Sequence, residues 1–421
     1  MTVDEKLPKM QPMIKNEIVY VRITGKEESN LAHLTCDILA KYAVVILDVR
    51  QALIHEHFTL SLLLQIPGEA TGVYRDLVFE LTGLGLTVRF TPIPLEEYTS
   101  WLKAPAKPQY IITLLARKLT GWQLSSVTRI IHQHGLSIEN MHRLSGRVPL
   151  ISDEKSKISF ELTVQGELSD FNALRIAFLE AGALHEMDIA FQKDNAYRRN
   201  RRLVCFDMDS TLIEAEVIDE LAKLQGVGDQ VMKITESAMR GEIDFAESLT
   251  QRVALLKGLP VSQLAHLALH LPLTEGVEKL MSSLRALGYK TAILSGGFTY
   301  FGDVLKKKLR MDYMFANELE MKEGVLTGKV LGDIMDAARK ADTLKFLAEK
   351  EHIHLEQVIA VGDGANDIPM LNLAGLGIAF RAKPIVRHSA RQAISTLGLD
   401  AILYLLGVRD SDHADFEALG L

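Results

Sequence analysis

Two carboxylates lie two residues apart in the run Asp207-Met-Asp-Ser-Thr211, directly after the apolar stretch Leu203–Phe206. That stretch has the length and composition of a buried parallel strand, and open α/β sheets place their chemistry at the carboxyl ends of such strands. Two acids held together there repel each other unless a cation or a proton separates their charges. The pattern predicts a site at Asp207 and Asp209. The plain structural alternative is a polar turn that caps a helix.

Two further predicted strands, residues 291–294 and 358–361, run into polar or glycine residues in the same way. The residues that follow them include Ser295, Gly296, Gly297, Asp363, Asn366 and Asp367. Because the carboxyl ends of parallel strands share one edge of the sheet, we expect these groups to converge on one crevice with Asp207. A fourth predicted strand covers residues 377–380. Lys340 is available to supply a positive charge.

These segments resemble the motifs of the haloacid dehalogenase superfamily of phosphotransferases. The resemblance covers residues 203 to about 395 and is closest to the phosphoserine phosphatases, through residues 216–220, 252–256, 294–298 and 361–370. It implies a Mg²⁺-dependent enzyme that hydrolyses O-phospho-L-serine to L-serine and phosphate, the last step of serine biosynthesis. The implied fold is a Rossmann-like parallel sheet with a helical cap.

The resemblance also implies roles for single residues. Asp207 is the expected nucleophile, which forms an aspartyl-phosphate, and Asp209 is the expected proton donor and acceptor. The expected Mg²⁺ ligands are Asp207, Asp363 and the main-chain carbonyl of Asp209. Such a cation is physically needed, because a phosphate dianion and a carboxylate nucleophile repel each other. Lys340 supplies a further positive charge to the phosphate, and Asp367 supports Lys340; a helix N-cap is the alternative role for Asp367.

The remaining expected site residues bind the substrate. Ser295, Gly296, Gly297 and Asn366 are expected near the phosphate with Lys340. In the cap, Glu216 would take the ammonium group of serine and Arg252 its carboxylate, since a guanidinium binds a carboxylate bidentately. The alternative is a surface ion pair between these two residues. Met239 and Phe245 would cover the site, or belong to the ordinary core of the cap.

The first 190 residues contain a repeat with a period of about ninety residues. Each copy has the order βαββαβ, which is the order of α+β ferredoxin-like folds, and the copies resemble ACT-type regulatory domains. The expected domains are residues 15–100, 108–193 and 200–421, with the cap at about 217–281. The resemblance implies a homodimer and an effector, serine or another amino acid. The second copy has Gly121 in the loop entering its first helix, whereas residues 27–30 of the first copy have no glycine. The alternative is that both copies only build a dimer.

The bulk composition excludes several classes of protein. A net charge of -7 over 421 residues leaves no excess of basic residues for nucleic acid, and no apolar run is long enough for a membrane span. Cys36 and Cys205 lie far apart in apolar segments, so we predict two buried thiols in a cytoplasmic protein. Two rival functions remain open. One is a related phosphatase for another small phosphate ester, and the other is an amino-acid-sensing regulator with an inactive phosphatase domain.

Overall fold

The computed structural model describes residues 16–26, 31–147 and 156–412. The chain divides into two compact units between Ala106 and Lys107. The loop at residues 27–30, whose lack of glycine bears on ligand binding by the first copy, lies outside the described residues, as do residue 15 and the segment after 412. The domain boundaries given above stay predictions.

The first unit consists of the first repeat and one additional helix. Its elements are β1 (Glu17–Lys26), α1 (Leu31–Lys41), β2 (Val45–Ile54), β3 (His57–Ile66), α2 (Thr71–Gly83), β4 (Thr87–Ile93) and α3 (Leu95–Lys103). The strands pair antiparallel in the order β2-β3-β1-β4. Val19 and Val21, two residues apart and therefore on one face of β1, pack with Ile38 of α1 and Leu77 of α2.

The second repeat opens the second unit and has the same architecture. Its elements are β5 (Gln109–Ala116), α4 (Gly121–Gln133), β6 (Ser137–Arg143), β7 (Ile158–Gln165), α5 (Phe171–His185) and β8 (Asp188–Lys193). The strand order β6-β7-β5-β8 repeats that of the first copy, position for position. A capping box between Thr120 and Gln123 starts α4. The predicted pair of ferredoxin-like domains is therefore confirmed.

The rest of the second unit is built around a seven-stranded sheet. Its strands are β9 (Leu203–Phe206), β10 (Lys290–Phe298), β11 (Tyr313–Lys322), β12 (Val325–Leu331), β13 (Val358–Gly362), β14 (Leu376–Phe380) and β15 (Gln392–Ile394). They lie in the order β12-β11-β10-β9-β13-β14-β15, and all neighbours are parallel except β12 with β11. The four predicted strands are present. The sheet also contains the β11–β12 hairpin and β15, which the sequence does not predict.

The sheet is buried on both faces, which explains why its central strands are continuously apolar. Val204 and Phe206 of β9 belong to one core cluster, whereas Leu203 and Cys205 belong to the other. The helices on this sheet and in the cap are α6 (Val217–Gln225), α7 (Gly228–Met239), α8 (Phe245–Ala254), α9 (Val261–His270), α10 (Val277–Ala286), α11 (Thr299–Leu309), α12 (Ala337–Lys350), α13 (Ile368–Leu373), α14 (Pro384–Ser389) and α15 (Ile402–Leu405).

The cap is the insertion between β9 and β10. Helices α6 to α9 form its helical part, and α10 contributes Val277, Leu280 and Leu284 to the core of the sheet domain. One prediction about the cysteines is wrong. Cys205 is buried in β9, but Cys36 is exposed, because the buried stripe of α1 runs through Leu31, Thr35, Ile38 and Leu39 and misses position 36.

The second repeat is packed directly against the sheet domain. Gln392 of β15 uses both ends of its buried amide on Phe191, accepting from the main-chain N–H at 2.8 Å and donating to the carbonyl at 2.6 Å. Asp188 accepts hydrogen bonds from the main chain of Ser395 and Thr396 at 2.9 and 2.7 Å. These hydrogen bonds pair buried polar groups of the second repeat with buried polar groups of the sheet domain. The junction therefore depends on defined polar contacts as well as on apolar packing. Among the described residues, no helix combines the length and apolar character needed to cross a membrane.

Candidate active site

The three polar strand ends meet at one edge of the sheet. Asp207 follows β9, and its main-chain N–H donates to the carbonyl of Val361 in β13 at 2.9 Å. β13 leads into Asp363, while β10, on the other side of β9, contains Ser295. Adjacent parallel strands thus place residues from distant parts of the sequence side by side, as the sequence predicts.

Lys340 is the fully buried cation of this edge. Its Nζ atom lies 2.9 Å from Oδ1 of Asp207 and 2.7 Å from Oδ1 of Asp367. Burial alone would lower the pKa of Lys340, but the two carboxylates outweigh it and hold the pKa above its ordinary value. Lys340 is therefore charged at neutral pH. Asp336 starts α12 by accepting a hydrogen bond from the N–H of Arg339 at 2.8 Å, which places Lys340 on the first turn of this helix.

Three carboxylates cluster at this edge of the sheet, and two of them contact Lys340. Oxygen atoms of Asp207, Asp363 and Asp367 all lie within 4.8 Å of one another. Burial and the charge of Asp207 raise the pKa of Asp363 to about 7, and the same two causes raise the pKa of Asp367. One lysine does not balance the buried Asp207 and Asp367 and the half-buried Asp363, so the group fits a divalent cation with a preference for hard oxygen ligands. Both oxygens of Asp367 already accept, Oδ1 from Lys340 at 2.7 Å and Oδ2 from the N–H of Gly364 at 3.0 Å, whereas Lys340 and the N–H of Met208 both contact Oδ1 of Asp207.

Asp209 lies beside this group in a different environment. Its Oδ1 atom accepts a hydrogen bond from the N–H of Val217, the first residue of α6, at 3.0 Å. Burial raises the pKa of Asp209 well above its ordinary value, and the charges of Glu216 and Asp207 add to the effect. A raised pKa favours the protonated form, which is the form that a general acid needs.

The segment Ser295-Gly-Gly297 has little room for side chains. A Cβ atom on Gly297 would lie 2.5 Å from Oδ2 of Asp209, and one on Gly296 would lie 2.9 Å from the ring of Phe245. Ser295 is fully buried, and its Oγ atom accepts a hydrogen bond from the N–H of Gly297 at 2.9 Å. The glycines thus allow Asp209 from the sheet domain and Phe245 from the cap to approach this loop closely.

The expected substrate-binding residues are only partly assembled. Phe245, the first residue of α8, lies against Gly296, whereas Met239 at the end of α7 is 67% exposed. Glu216 accepts a hydrogen bond from Ser210 at 2.7 Å. Arg252 is half-buried and donates to the carbonyl of Ser248 at 3.3 Å. No ion pair joins Glu216 or Arg252 to another charged group in the described part of the chain, so the alternative of a surface pair is not realised.

Two residues of the first motif, Ser210 and Thr211, make contacts at the site that the sequence does not predict. Thr211 is fully buried, and its hydroxyl donates to Oδ1 of Asp363 at 3.0 Å. Ser210 has a φ of 55°, a conformation that non-glycine residues rarely adopt, and its hydroxyl donates to Glu216. The strained turn therefore directs the hydroxyl of Ser210 towards Glu216 and that of Thr211 towards the acidic group. Asn366, half-buried, follows Asp363 in the turn that ends at Asp367.

Comparison with known proteins finds relatives of both parts of the chain. Residues 201–375 match the family model of haloacid dehalogenase-like hydrolases, and residues 17–91 match that of the ACT domain. Phosphoserine phosphatase SerB2 of Mycobacterium tuberculosis is 36% identical over 396 residues, which are 93% of this chain and 93% of the relative. A phosphoserine phosphatase of Streptomyces coelicolor is 36% identical over 391 residues, 92% of both chains.

Solved structures show the same kinship. A HAD family hydrolase from Salmonella enterica serovar Typhi superposes with a TM-score of 0.62 at 32% identity, covering 70% of this chain and 98% of the other. A probable phosphoserine phosphatase from Vibrio cholerae, in unliganded form, superposes with a TM-score of 0.57 at 35% identity, covering 73% and 88%.

We expect cation binding by the acidic group to depend on pH. With a pKa of about 7 in the metal-free protein, Asp363 is mostly protonated at pH 6 and mostly ionised at pH 8, and a protonated carboxyl binds Mg²⁺ poorly. We expect the affinity for Mg²⁺ to fall about tenfold from pH 8 to pH 6, measured by titration calorimetry. Asp363→Asn should bind Mg²⁺ weakly at both pH values. Equal affinity of the unaltered protein at both pH values would contradict this account.

Proposed function

Because this chain belongs to the phosphoserine phosphatase family of haloacid dehalogenase-like hydrolases, we propose that it hydrolyses O-phospho-L-serine to L-serine and phosphate. The observation that carries the proposal is the buried Lys340 ammonium, held by Asp207 and Asp367 at the strand ends beside Asp363. A fixed cation next to a carboxylate suits phosphoryl transfer, in which catalysis is mostly positioning and charge neutralisation.

In the proposed first step, a carboxylate oxygen of Asp207 attacks the phosphorus atom and the bond from phosphorus to the serine oxygen breaks. The leaving alkoxide takes the proton of Asp209, whose raised pKa keeps that proton available. The products of this step are free serine, an aspartyl-phosphate on Asp207 and an ionised Asp209.

In the second step, a water molecule attacks the phosphorus of the aspartyl-phosphate. Asp209, now ionised, accepts the proton of that water, so the same group serves as acid and then as base. The bond between phosphorus and the Asp207 oxygen breaks, which releases phosphate and regenerates both side chains. Lys340, which contacts Asp207 on one side and Asp367 on the other, would offer its charge to the phosphoryl group in both steps.

We propose Mg²⁺ as the cofactor, held by Asp207, Asp363 and the main-chain carbonyl of Asp209. When bound, Mg²⁺ neutralises the negative charges of phosphate and carboxylate and orients the phosphate oxygens. Two observations support the choice of site, namely the surplus of negative charge and the Thr211 hydroxyl that fixes one oxygen of Asp363 at 3.0 Å.

Around the phosphate, the proposal assigns binding to Ser295, Gly296, Gly297, Lys340 and Asn366. The serine moiety would lie between the sheet edge and the cap, with its ammonium group on Glu216 and its carboxylate on Arg252. Burial lowers the pKa of Arg252 from its ordinary value, yet a guanidinium remains charged at neutral pH. A half-buried guanidinium without an ion pair among the described carboxylates suits an incoming carboxylate. Phe245 would cover the substrate from the side of Gly296.

The direct test measures phosphate release from a panel of small phosphate esters with and without Mg²⁺. We expect phosphoserine to have the highest kcat/KM and Mg²⁺ to be required. Preference for another ester would favour the rival related phosphatase. No release from any ester in the presence of Mg²⁺ would favour the rival regulator with an inactive phosphatase domain.

The substrate assignment predicts the behaviour of Arg252→Lys. A lysine keeps the charge but loses the bidentate fork, so KM for phosphoserine should rise about tenfold or more. KM for p-nitrophenyl phosphate, which has no carboxylate, should change less than about twofold. Steady-state kinetics with both substrates measures the difference. An equal effect on both would rule out the carboxylate role of Arg252.

We further propose that the second repeat is regulatory, that serine or another amino acid is its effector and that the protein forms a homodimer through its ACT-like domains. A cavity of about 350 Å³ supports an effector site, because it surrounds the loop before α4 and is lined by residues such as Arg117, Thr120 and Trp122. This volume suits a small metabolite.

Ion pairs run from that loop to the base of the cap. Arg117 lies 2.7 Å from Glu275. Arg381 lies 3.2 Å from the same Glu275 and 3.0 Å from Glu214, and so connects these two carboxylates. Glu214 and Glu275 belong to the two chain segments that join cap and sheet domain, where the N–H of Glu214 donates to the carbonyl of Pro272 at 2.9 Å. A change at Arg117 would therefore reach the connection of the cap directly, which supports a regulatory role.

Gly121 offers a test of the effector site. Gly121 lies between Thr120 and Trp122, which line the cavity, and a Cβ atom at this position meets no protein atom within 4 Å. Gly121→Leu should therefore leave the fold intact and place a bulky side chain beside the cavity. Calorimetry on the full chain should show serine binding that this variant weakens about tenfold or more. Gly83→Leu, at an equally open helical glycine of the first repeat, is the matched control and should bind normally. No heat with serine or other amino acids, or unchanged binding by Gly121→Leu, would overturn the proposal.

A further inference from the structure

Asn317 is a buried amide in the interior of a strand. It lies in β11 with 1% of its surface exposed. Asparagine is depleted in strands, and a buried polar side chain is costly unless it is hydrogen-bonded. The residue is therefore expected to make bonds that an apolar side chain would not replace.

Both ends of the Asn317 amide bond to main-chain groups. Its Nδ2 atom donates to the carbonyl of Gly296 at 2.8 Å, and its Oδ1 atom accepts from the N–H of Met335 at 2.7 Å. One partner only accepts and the other only donates, so the orientation of the amide is fixed by its surroundings. The side chain thus joins two segments that are about forty residues apart in the sequence.

The bond to Gly296 replaces a missing strand contact. β10 and β11 pair regularly up to Leu294 opposite Phe315, and the next pair is Phe298 opposite Asn317. Three residues of β10, 295–297, therefore face a single residue of β11, and the loop bulges out of the ladder. The Asn317 side chain supplies the donor for the Gly296 carbonyl at this irregularity.

The bond to Met335 fixes the start of the helix that carries Lys340. Met335 directly precedes Asp336, the N-cap of α12, and the N–H of Lys340 donates to the carbonyl of Asp336 at 2.9 Å. Lys340 in turn reaches Asp207 and Asp367 from the first turn of α12. One amide therefore connects the loop 295–297 with the base of the lysine.

We propose that Asn317 is a positioning residue, which sets the distance between the loop 295–297 and Lys340 so that both bind the same phosphoryl group. The inference rests on the proposed function, which places the phosphate between these two elements. Asn317 touches neither substrate nor cation in this account. Because the serine moiety lies on the cap side, loss of Asn317 should affect all phosphate ligands alike.

The competing explanation is that Asn317 only stabilises the fold. Gln392 is a matched control, since it is likewise a buried amide that bonds to one main-chain N–H and one main-chain carbonyl, but at the junction with the second repeat. If satisfying buried backbone groups were the whole role, Asn317→Ala and Gln392→Ala would lower stability alike and leave phosphate binding unchanged.

The experiment compares Asn317→Ala, Asn317→Asp and Gln392→Ala in the full chain with Mg²⁺ present. We expect both Asn317 variants to lower kcat/KM about tenfold or more, by similar factors for phosphoserine and p-nitrophenyl phosphate. Calorimetry should show that the affinity for inorganic phosphate falls by a similar factor. Asn317→Asp keeps the acceptor for Met335 but loses the donor to Gly296, so it tests the bond should the alanine variant not fold. Gln392→Ala should stay within about twofold in each measurement.

Two results would overturn the proposal. One is unchanged phosphate affinity and kcat/KM in a folded Asn317 variant, and the other is an equal loss in Gln392→Ala. Absence of phosphoserine turnover in the unaltered protein would instead count against the proposed function, because the affinity for inorganic phosphate still reports on Asn317.

Discussion

The buried ammonium of Lys340 is the interaction on which the rest of the site depends. It bonds to Asp207 at 2.9 Å and to Asp367 at 2.7 Å, and so ties the end of β9 to the turn after β13. A lysine with no exposed surface is stable only because these carboxylates are there. The helix that carries it is fixed in turn by Asp336 and, through Met335, by Asn317. Because the buried charge of Lys340 needs both carboxylate partners, it fixes the positions of Asp207 and Asp367 relative to α12.

The carboxyl groups around Lys340 lie in different electrostatic surroundings, and this suits them to different chemical roles. Asp207 and Asp363 carry the surplus negative charge, which a divalent cation would balance. Burial, with the charges of Glu216 and Asp207, raises the pKa of Asp209 well above its ordinary value, which favours the protonated form of this acid. Two carboxyl groups two residues apart therefore acquire different chemistry from their surroundings. Arg117 of the second repeat forms an ion pair with Glu275 at the base of the cap, which is the contact behind the proposed regulatory role.

The sequence predicts most of the sheet and the convergence of its polar ends, because buried parallel strands are continuously apolar and their carboxyl ends share an edge. It does not predict the β11–β12 hairpin, whose half-buried residues lack a continuous apolar run. Asn317 escapes for a related reason, since its two partners are set by a bulge and a helix start that only the fold brings together. Cys36 was expected to be buried, but the apolar stripe of α1 passes beside it.

The central claim is that phosphate passes through a covalent bond to Asp207. It is tested most directly by mixing the protein with radiolabelled phosphoserine and Mg²⁺, quenching in acid within the first turnover and mapping the labelled peptide by mass spectrometry. Our account predicts an acyl-phosphate on Asp207, and neither label nor turnover in Asp207→Asn. Turnover without labelled protein, together with substantial activity of Asp207→Asn, would contradict it.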